Sequence, residues 1–144
     1  MKKIGVIGGE CSLAEYFAWF FNEKNDKGEY NVPDYRVTAI SGYYKKENLA
    51  IAGKFNVDKV YDDFTEMAGE VDAVMITARD GKYHYGFAKP FLENKTPLYI
   101  FKPVTTDYAQ AKELISVAKK NNTLVCRRCD RPDLAMLFLK VNSA

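Results

Sequence analysis

A lysine followed by a proline ends a short apolar run in the second half of the chain. In the stretch "PLYIFKP", Lys102 and Pro103 come directly after what reads as a buried strand. Lysine is strongly hydrated and rarely fully buried. A lysine fixed at this place either caps the strand in solvent or directs a positive charge at a ligand. Because a preset cation stabilises negative charge that develops on a substrate oxygen, Lys102 is the candidate catalytic residue, and the solvent-facing cap stays open as the alternative.

A glycine-rich turn near the amino terminus could hold a phosphate. In "GVIGGECSLA", Gly8 and Gly9 join strand-like to helix-like sequence, and Ser12 opens the helix. Backbone N–H groups and the positive end of a helix bind pyrophosphate at such turns. When the Gly-x-Gly-x-x-Gly fingerprint is aligned on Gly8, Glu10 takes the place of the second glycine and Leu13 that of the third. Glu10 would then lie against the pyrophosphate and repel it. The alternative is a tight turn that needs glycine only for its backbone angles.

The residues after the second strand-like segment bear on the choice between NAD and NADP. NAD-binding folds usually place Asp or Glu there, where the carboxylate holds the ribose 2′-hydroxyl. This chain has Ser41, with Lys45 and Lys46 close behind. Serine and lysine suit a 2′-phosphate better, so the cofactor would be NAD or NADP with NADP slightly favoured. A solvated polar turn is the alternative.

Short apolar segments alternate with longer amphipathic ones along most of the chain. The strand-like segments are residues 2–8, 35–41, 59–63, 71–77, 97–101 and 123–126. The helix-like segments are residues 12–24, 46–55 (ending near Gly53), 83–94 and 105–122. The strands are continuously apolar, as parallel strands covered on both faces are. The pattern predicts an α/β fold: a doubly wound, Rossmann-like parallel sheet of about six strands with helices on both faces.

The last of these helices has a well-defined apolar pattern. Asp107 is expected in or before its first turn, where a carboxylate favours the helix dipole. The residues predicted to share its apolar face are Tyr108, Ala111, Leu114, Ile115 and Ala118.

The stretch "TARDGKYHYGFAKPFLENKTPLYIFKP" resembles the core of the glucose-fructose oxidoreductase, inositol dehydrogenase and rhizopine-catabolism family (Gfo/Idh/MocA). Members carry a strand ending in Thr-Pro, a His that opens the next helix, an Ala-rich helix, and a strand ending in Glu-Lys-Pro or Asp-Lys-Pro. The residues in those places here are Thr77, His84, Ala88, Leu92, Lys102 and Pro103. Ala78 replaces the family's first proline, and Phe101 replaces its acidic residue. A looser likeness extends over residues 2–130.

The resemblance implies the NAD(P)-binding domain of an oxidoreductase. Its reaction would transfer a hydride between the nicotinamide and a sugar, cyclitol or related alcohol. Lys102 would point at the nicotinamide and the substrate, and Pro103 would fix its approach. Thr77 and His84 would line the cofactor cleft.

A non-catalytic nucleotide-binding or sensory homologue is the alternative. It would explain the departures at Glu10, Ser41 and Phe101 as signs of a degenerate cofactor motif. Whether the chain is part of an enzyme therefore stays open.

Two domains are expected. Residues 1–126 would form the dinucleotide-binding domain, and residues 127–144, "RRCDRPDLAMLFLKVNSA", would begin a linker or second domain that is cut short. The resemblance implies that the acid and base residues lie in that second domain. We therefore expect the 144-residue chain alone to be inactive, and we expect any homo-oligomer to form through the second domain.

Composition narrows the partners. The formal net charge is +2 and the basic residues are scattered, so no nucleic acid is expected. The apolar content of 47% is that of an ordinary globular protein, and no membrane association is expected. The apolar run after the first two lysines is too short for a signal peptide, and three cysteines fit a reducing, cytoplasmic location. Cys126 and Cys129 have no second pair to complete a zinc site, so no metal is expected.

Overall fold

The computed structural model describes residues 1–126 of the chain. All six strands lie in one sheet in the order β3-β2-β1-β4-β5-β6, and every neighbouring pair is parallel. The strands are β1 (Lys2–Ile7), β2 (Tyr35–Ser41), β3 (Lys59–Val60), β4 (Ala73–Ile76), β5 (Leu98–Ile100) and β6 (Val125–Cys126). The helices are α1 (Ser12–Asn22), α2 (Lys45–Phe55), α3 (His84–Glu93) and α4 (Tyr108–Lys120). The predicted doubly wound parallel sheet is confirmed.

The sheet has a hydrophobic core on each face. Alternate side chains of the central strands point to opposite faces, so Met75 joins one core and Ile76 the other. The first core is closed by α1 and α2, where Phe17 lies edge-on to Tyr99 with the ring centroids 5.5 Å apart. The second is closed by α3 and α4. Helices therefore cover both faces, as the sequence predicts.

The apolar face of α4 is narrower than its sequence predicts. Leu114 and Ala118 are buried, but Tyr108 is 80% exposed and Ile115 is 53% exposed. The prediction was wrong for these two residues because α4 packs mainly against α3, and a single neighbouring helix buries only a narrow stripe of it. Asp107 lies at the N-cap as expected, and its side chain accepts a hydrogen bond from the Gln110 backbone N–H at 2.9 Å.

The end of α2 differs by two residues from the sequence-based expectation. The helix continues past Gly53 to Phe55, whose side chain is buried. Asn56 then takes the left-handed conformation (φ 53°) that ends many helices. Within residues 1–126, no helix has the length and apolar character needed to cross a membrane.

Asn22, the last residue of α1, completes the backbone pairing of β2. Strand β3 pairs only with Ala39 and Ile40, so the backbone of Val37 needs another partner on that side. The Asn22 Oδ1 accepts the Val37 N–H at 2.8 Å, and its Nδ2 donates to the Val37 oxygen at 2.8 Å and to the Phe55 oxygen at 3.0 Å. One side-chain amide thus joins α1, β2 and α2.

Replacing Asn22 with alanine should lower the free energy of unfolding by about 2–3 kcal/mol, because it leaves three partly buried backbone groups without this partner. The loss can be measured by urea unfolding. Asn25→Ala is the matched control, since the Asn25 side chain accepts only exposed N–H groups, from Lys27 and Glu29, which water can satisfy. Equal losses in the two variants would contradict this role of Asn22.

Candidate functional site

The strand order reverses between β1 and β4, which lie side by side in the sheet. Ligands of doubly wound sheets bind beyond the carboxyl ends of the strands at such a point. Three segments meet there: the turn after β1, the loop after β2 and the loop after β4. The loop after β5, which carries Lys102, follows on the next strand. We call the space between these segments the switch-point crevice.

Gly8 is required where it stands. Its φ of 112° is rare for other residues, and a Cβ built on it would lie 2.3 Å from the backbone nitrogen of Ala78. The Gly8 N–H donates to the Ser41 oxygen at 2.9 Å. The Thr77 hydroxyl donates towards the oxygens of Ile7 at 3.2 Å and Gly8 at 3.0 Å. The turn after β1 is therefore packed directly against the loop after β4.

Thr77 supports this turn from inside the protein. Its side chain is fully buried, and its hydroxyl is engaged with the backbone of the turn. The geometry does not support the expectation that the Thr77 side chain lines the cofactor cleft. Its effect on a ligand would be indirect, through the shape of the turn.

Asn48 of α2 was missed by the sequence reasoning. It is 1% exposed. Its Oδ1 accepts the Gly9 N–H at 3.0 Å, and its Nδ2 donates to the Gly42 oxygen at 3.2 Å. A Cβ on Gly9 would lie 2.3 Å from that Oδ1. The detectable signal was a polar residue in line with the buried Ile51 and Phe55 of α2. Asn48 joins the turn after β1 to the loop after β2.

The start of α1 is open to a ligand. Cys11 takes the N-cap position with extended backbone, and its side chain makes no capping hydrogen bond. The first N–H groups of a helix have no partner within the helix, and they favour anions. The N–H groups of Gly8 and Gly9 already donate to Ser41 and Asn48, so a pyrophosphate at this turn would bind at the start of α1. Ser12 is exposed and lines an outer groove beside Trp19, so the expected pyrophosphate contact of its side chain stays a prediction.

Glu10 and Arg79 contact each other across the crevice. The Glu10 Oε1 accepts the Arg79 backbone N–H at 3.0 Å, and the Arg79 Nη2 donates to the Glu10 backbone oxygen at 3.0 Å. Arg79 is exposed and Glu10 is partly exposed. The carboxylate is thus held towards the loop after β4. Arg79 was not among the sequence-based candidates, because its partner lies 69 residues away.

Ser41 and Lys45, which are predicted to contact the ribose end of the cofactor, lie at the end of β2 and at the start of α2. Ser41 is fully buried, and its hydroxyl donates to the Tyr61 oxygen at 2.9 Å. This geometry does not support a direct ribose or phosphate contact by the Ser41 hydroxyl. Lys45 remains at the surface, where its Nζ lies 2.8 Å from an Asp62 carboxylate oxygen. A phosphate would have to compete with that carboxylate.

Tyr43 forms an aromatic bridge beside these residues. Its ring is 65% exposed. It lies 4.8 Å from the Tyr83 ring and 5.2 Å from the Phe87 ring, measured between centroids. The loop after β2 is thereby packed against the start of α3. The exposed side of Tyr43 offers an apolar face at this end of the crevice.

His84 holds the backbone beside Lys102. The ring is fully buried, with Nδ1 2.5 Å from the Pro103 oxygen and Nε2 2.6 Å from the Ala78 oxygen. Carbonyl oxygens only accept, so a neutral ring can donate to one of them at a time. The burial of His84 does not support a direct lining of the cleft. His84 instead joins the loops after β4 and β5, and Lys102 is exposed beside this anchor.

Gly81 and Asp80 complete the support of this segment. A Cβ on Gly81 would lie 2.4 Å from the Pro103 Cγ, so the proline ring packs directly on the glycine. The Lys102–Pro103 peptide bond is cis. Asp80 caps a single 3-10 turn, Gly81–Tyr83. The hydrogen bond from the Lys82 backbone N–H lowers the pKa of Asp80, which favours the ionised carboxylate.

Among residues 1–126, no three His, Cys, Asp or Glu side chains come together as a metal site would require. Cys129, the second member of the "CRRC" motif, and the predicted linker at 127–144 lie outside the described residues.

Gly81→Ala should destabilise the chain by about 1–3 kcal/mol, the usual cost of forcing an extra carbon into a packed site. Gly86→Ala is the matched control: nothing lies within 4 Å of a Cβ at this position in α3, and alanine favours a helix by about 1 kcal/mol. Thermal unfolding should therefore show a lower Tm for Gly81→Ala and no lower Tm for Gly86→Ala. Parallel behaviour of the two variants would contradict the packing of Pro103 on Gly81.

Comparison with known proteins shows the family of this chain. The model of the Gfo/Idh/MocA family, described as an oxidoreductase family with an NAD-binding Rossmann fold, matches residues 2–127. A search of curated proteins gave no match.

Solved structures share the fold. Myo-inositol dehydrogenase from Lactobacillus casei, in complex with NAD(H) and myo-inositol, is 19% identical with a TM-score of 0.76; the match covers 88% of this chain and 36% of that one. Apo scyllo-inositol dehydrogenase from the same organism is 20% identical with a TM-score of 0.73, and the match covers 88% of this chain and 36% of that one. Biliverdin reductase from Synechocystis sp. PCC 6803, in complex with biliverdin and NADP+, is 20% identical with a TM-score of 0.72. That match covers 88% of this chain and 37% of the reductase.

At these identities the likeness establishes the fold, and the chain spans little more than a third of those proteins. The family model, by contrast, covers nearly all of this chain. The chain therefore belongs to the Gfo/Idh/MocA family of oxidoreductases and carries its NAD-binding Rossmann fold.

Proposed function

We propose that the whole protein transfers a hydride between NAD(P) and a sugar, cyclitol or related alcohol, and that this chain holds the cofactor. The observation that carries the proposal is the arrangement of the switch-point crevice. A tight turn at Gly8 and the uncapped start of α1 follow β1, and an exposed lysine follows β5 on the other side of β4. The inositol dehydrogenases with this fold support the substrate class. The non-catalytic alternative gains no support from the family match.

The chain's own residues have separate tasks in this proposal. The start of α1 would bind the pyrophosphate, Gly8 and Gly9 would shape the turn that leads to it, and the exposed face of Tyr43 would lie on the adenosine side. The nicotinamide supplies the hydride chemistry when it is bound. Lys102 would bind the substrate oxygen and stabilise its negative charge. His84 would act as a positioning residue, because it holds the Pro103 oxygen beside that lysine.

We also propose a cytoplasmic protein without a nucleic-acid partner. The small net charge of +2 and the scattered basic residues argue against a nucleic-acid partner. Further substrate contacts and any homo-oligomer interface would come from a second domain, since the solved relatives are much longer than the part they share with this chain.

Lys102→Met in the whole protein should lower kcat about 100-fold, since removing one preorganised charge-stabilising group costs roughly that much. The dissociation constant for the cofactor should change little. Steady-state rates with a panel of sugars and cyclitols, combined with cofactor titration, would measure both. Lys112→Met, which removes an exposed lysine of α4, is the control. An unchanged kcat in Lys102→Met would refute the proposed role.

We also propose that NADP binds at least as tightly as NAD. Support comes from the lack of an acidic residue at position 41 and from Lys45 and Lys46 at the start of α2. Asp62→Asn should free Lys45 and tighten NADP binding about threefold, because an exposed ion pair is worth about 1 kcal/mol or less. NAD binding should not change.

Titration calorimetry with both cofactors measures these affinities. Asp58→Asn is the matched control, because it removes the same charge from a nearby exposed position that makes no ion pair with Lys45. A wild-type preference for NAD would argue against the NADP proposal. Equal effects of Asp62→Asn on the two cofactors would argue against a phosphate contact of Lys45.

A further inference from the structure

Glu10 presents a conflict of charge. It stands at the turn that fits a pyrophosphate, where a carboxylate and a phosphate would repel each other by about 1 kcal/mol or more when partly desolvated. Yet the carboxylate is not turned away from the protein. Its Oε1 takes the backbone N–H of Arg79, and the Arg79 guanidinium is drawn back to the Glu10 carbonyl.

The contact lies where a dinucleotide has to pass. Glu10 follows β1 and Arg79 follows β4, and these neighbouring strands flank the reversal of strand order. A dinucleotide that reaches from the loop after β2 towards Lys102 crosses between them. We call this pair of hydrogen bonds the Glu10–Arg79 clasp.

The fold does not depend on the clasp. The turn after β1 is already held by the Thr77 hydroxyl, by the Asn48 amide and by the Ser41 oxygen, and those contacts are buried. The clasp is at the surface, where hydrogen bonds exchange with water at little cost. It can therefore open while the turn keeps its shape.

We propose that the pyrophosphate of the bound dinucleotide opens the Glu10–Arg79 clasp. The Arg79 guanidinium leaves the Glu10 carbonyl and becomes a ligand of the phosphate, and the phosphate charge drives the Glu10 carboxylate away from the Arg79 backbone N–H. The inference rests on the proposed cofactor binding of this chain. It adds Arg79 as a cofactor ligand and Glu10 as a competitor that sets the affinity.

The chemistry favours the exchange. Before binding, the guanidinium bonds a neutral carbonyl, and its five N–H donors in a planar fork suit a phosphate better. Bonds between two charged groups are shorter and stronger than bonds to a neutral acceptor. The displaced carboxylate regains water at the surface. At the guanidinium the phosphate therefore replaces a neutral carbonyl oxygen, and the Glu10 carboxylate leaves the Arg79 backbone N–H.

A double-mutant cycle with NAD and NADP tests the clasp by calorimetry. Glu10→Gly should tighten binding about tenfold, which corresponds to 1.4 kcal/mol. Arg79→Ala should weaken it about tenfold, as expected for a lost hydrogen bond to a charged group. In the Arg79→Ala background the gain from Glu10→Gly should shrink to about threefold or less, because a phosphate that the guanidinium no longer holds at the turn is repelled less by the Glu10 carboxylate.

Glu15→Gln is the matched control. It neutralises another carboxylate of the same region, one that pairs with Lys54 at 2.6 Å beside the outer groove, and it should leave cofactor affinity unchanged. Circular dichroism melting should show that all variants are folded.

The outcomes separate this proposal from the one on which it rests. Binding by the wild type, with an unchanged affinity in Glu10→Gly or with the same gain in both backgrounds, would overturn the clasp and leave cofactor binding intact. No binding of NAD or NADP by any variant would overturn both. Binding that appears only in Glu10→Gly, and is weakened there by Arg79→Ala, would support the clasp in its strongest form.

Discussion

The close approach of the turn after β1 to the end of β4 is the constraint on which the crevice depends. A single Cβ at Gly8 would lie 2.3 Å from the Ala78 nitrogen, and the Thr77 hydroxyl binds the Gly8 oxygen at 3.0 Å. Because these two backbone segments touch, the start of α1 and the backbone of Arg79 have fixed relative positions. His84 extends the same rigid unit to the loop after β5, since it contacts the Ala78 oxygen.

The order of the elements could be predicted because each signal is local. A run such as residues 71–77 is apolar except for Asp72 and Thr77, which is typical of a strand covered on both faces. The exposed position of Ile115 could not be predicted in this way. Which part of an apolar helix face is buried depends on what packs against it, and α4 packs mainly against α3.

The candidate site was predicted at the level of segments but not of individual contacts. Ser41, Thr77 and His84 were chosen because polar residues at strand ends often meet ligands. In the structure their side chains form hydrogen bonds with backbone oxygens. Backbone groups beyond the strand ends lack partners in the sheet and still need hydrogen bonds. Asn48 and Arg79 escaped notice because their partners lie 39 and 69 residues away.

Burial separates the residues that build the crevice from those that can meet a ligand. The buried polar groups fix its walls, whereas Lys102 and Arg79 remain exposed and able to change partners. The distribution of negative charge differs from the family pattern in the same region. Position 101 holds a phenylalanine packed against the core, so it supplies no carboxylate beside Lys102, while the turn gains one in Glu10. In the proposed site, Lys102 would therefore pair with a ligand, and the acidic group of the crevice would compete with a phosphate instead of pairing with the lysine.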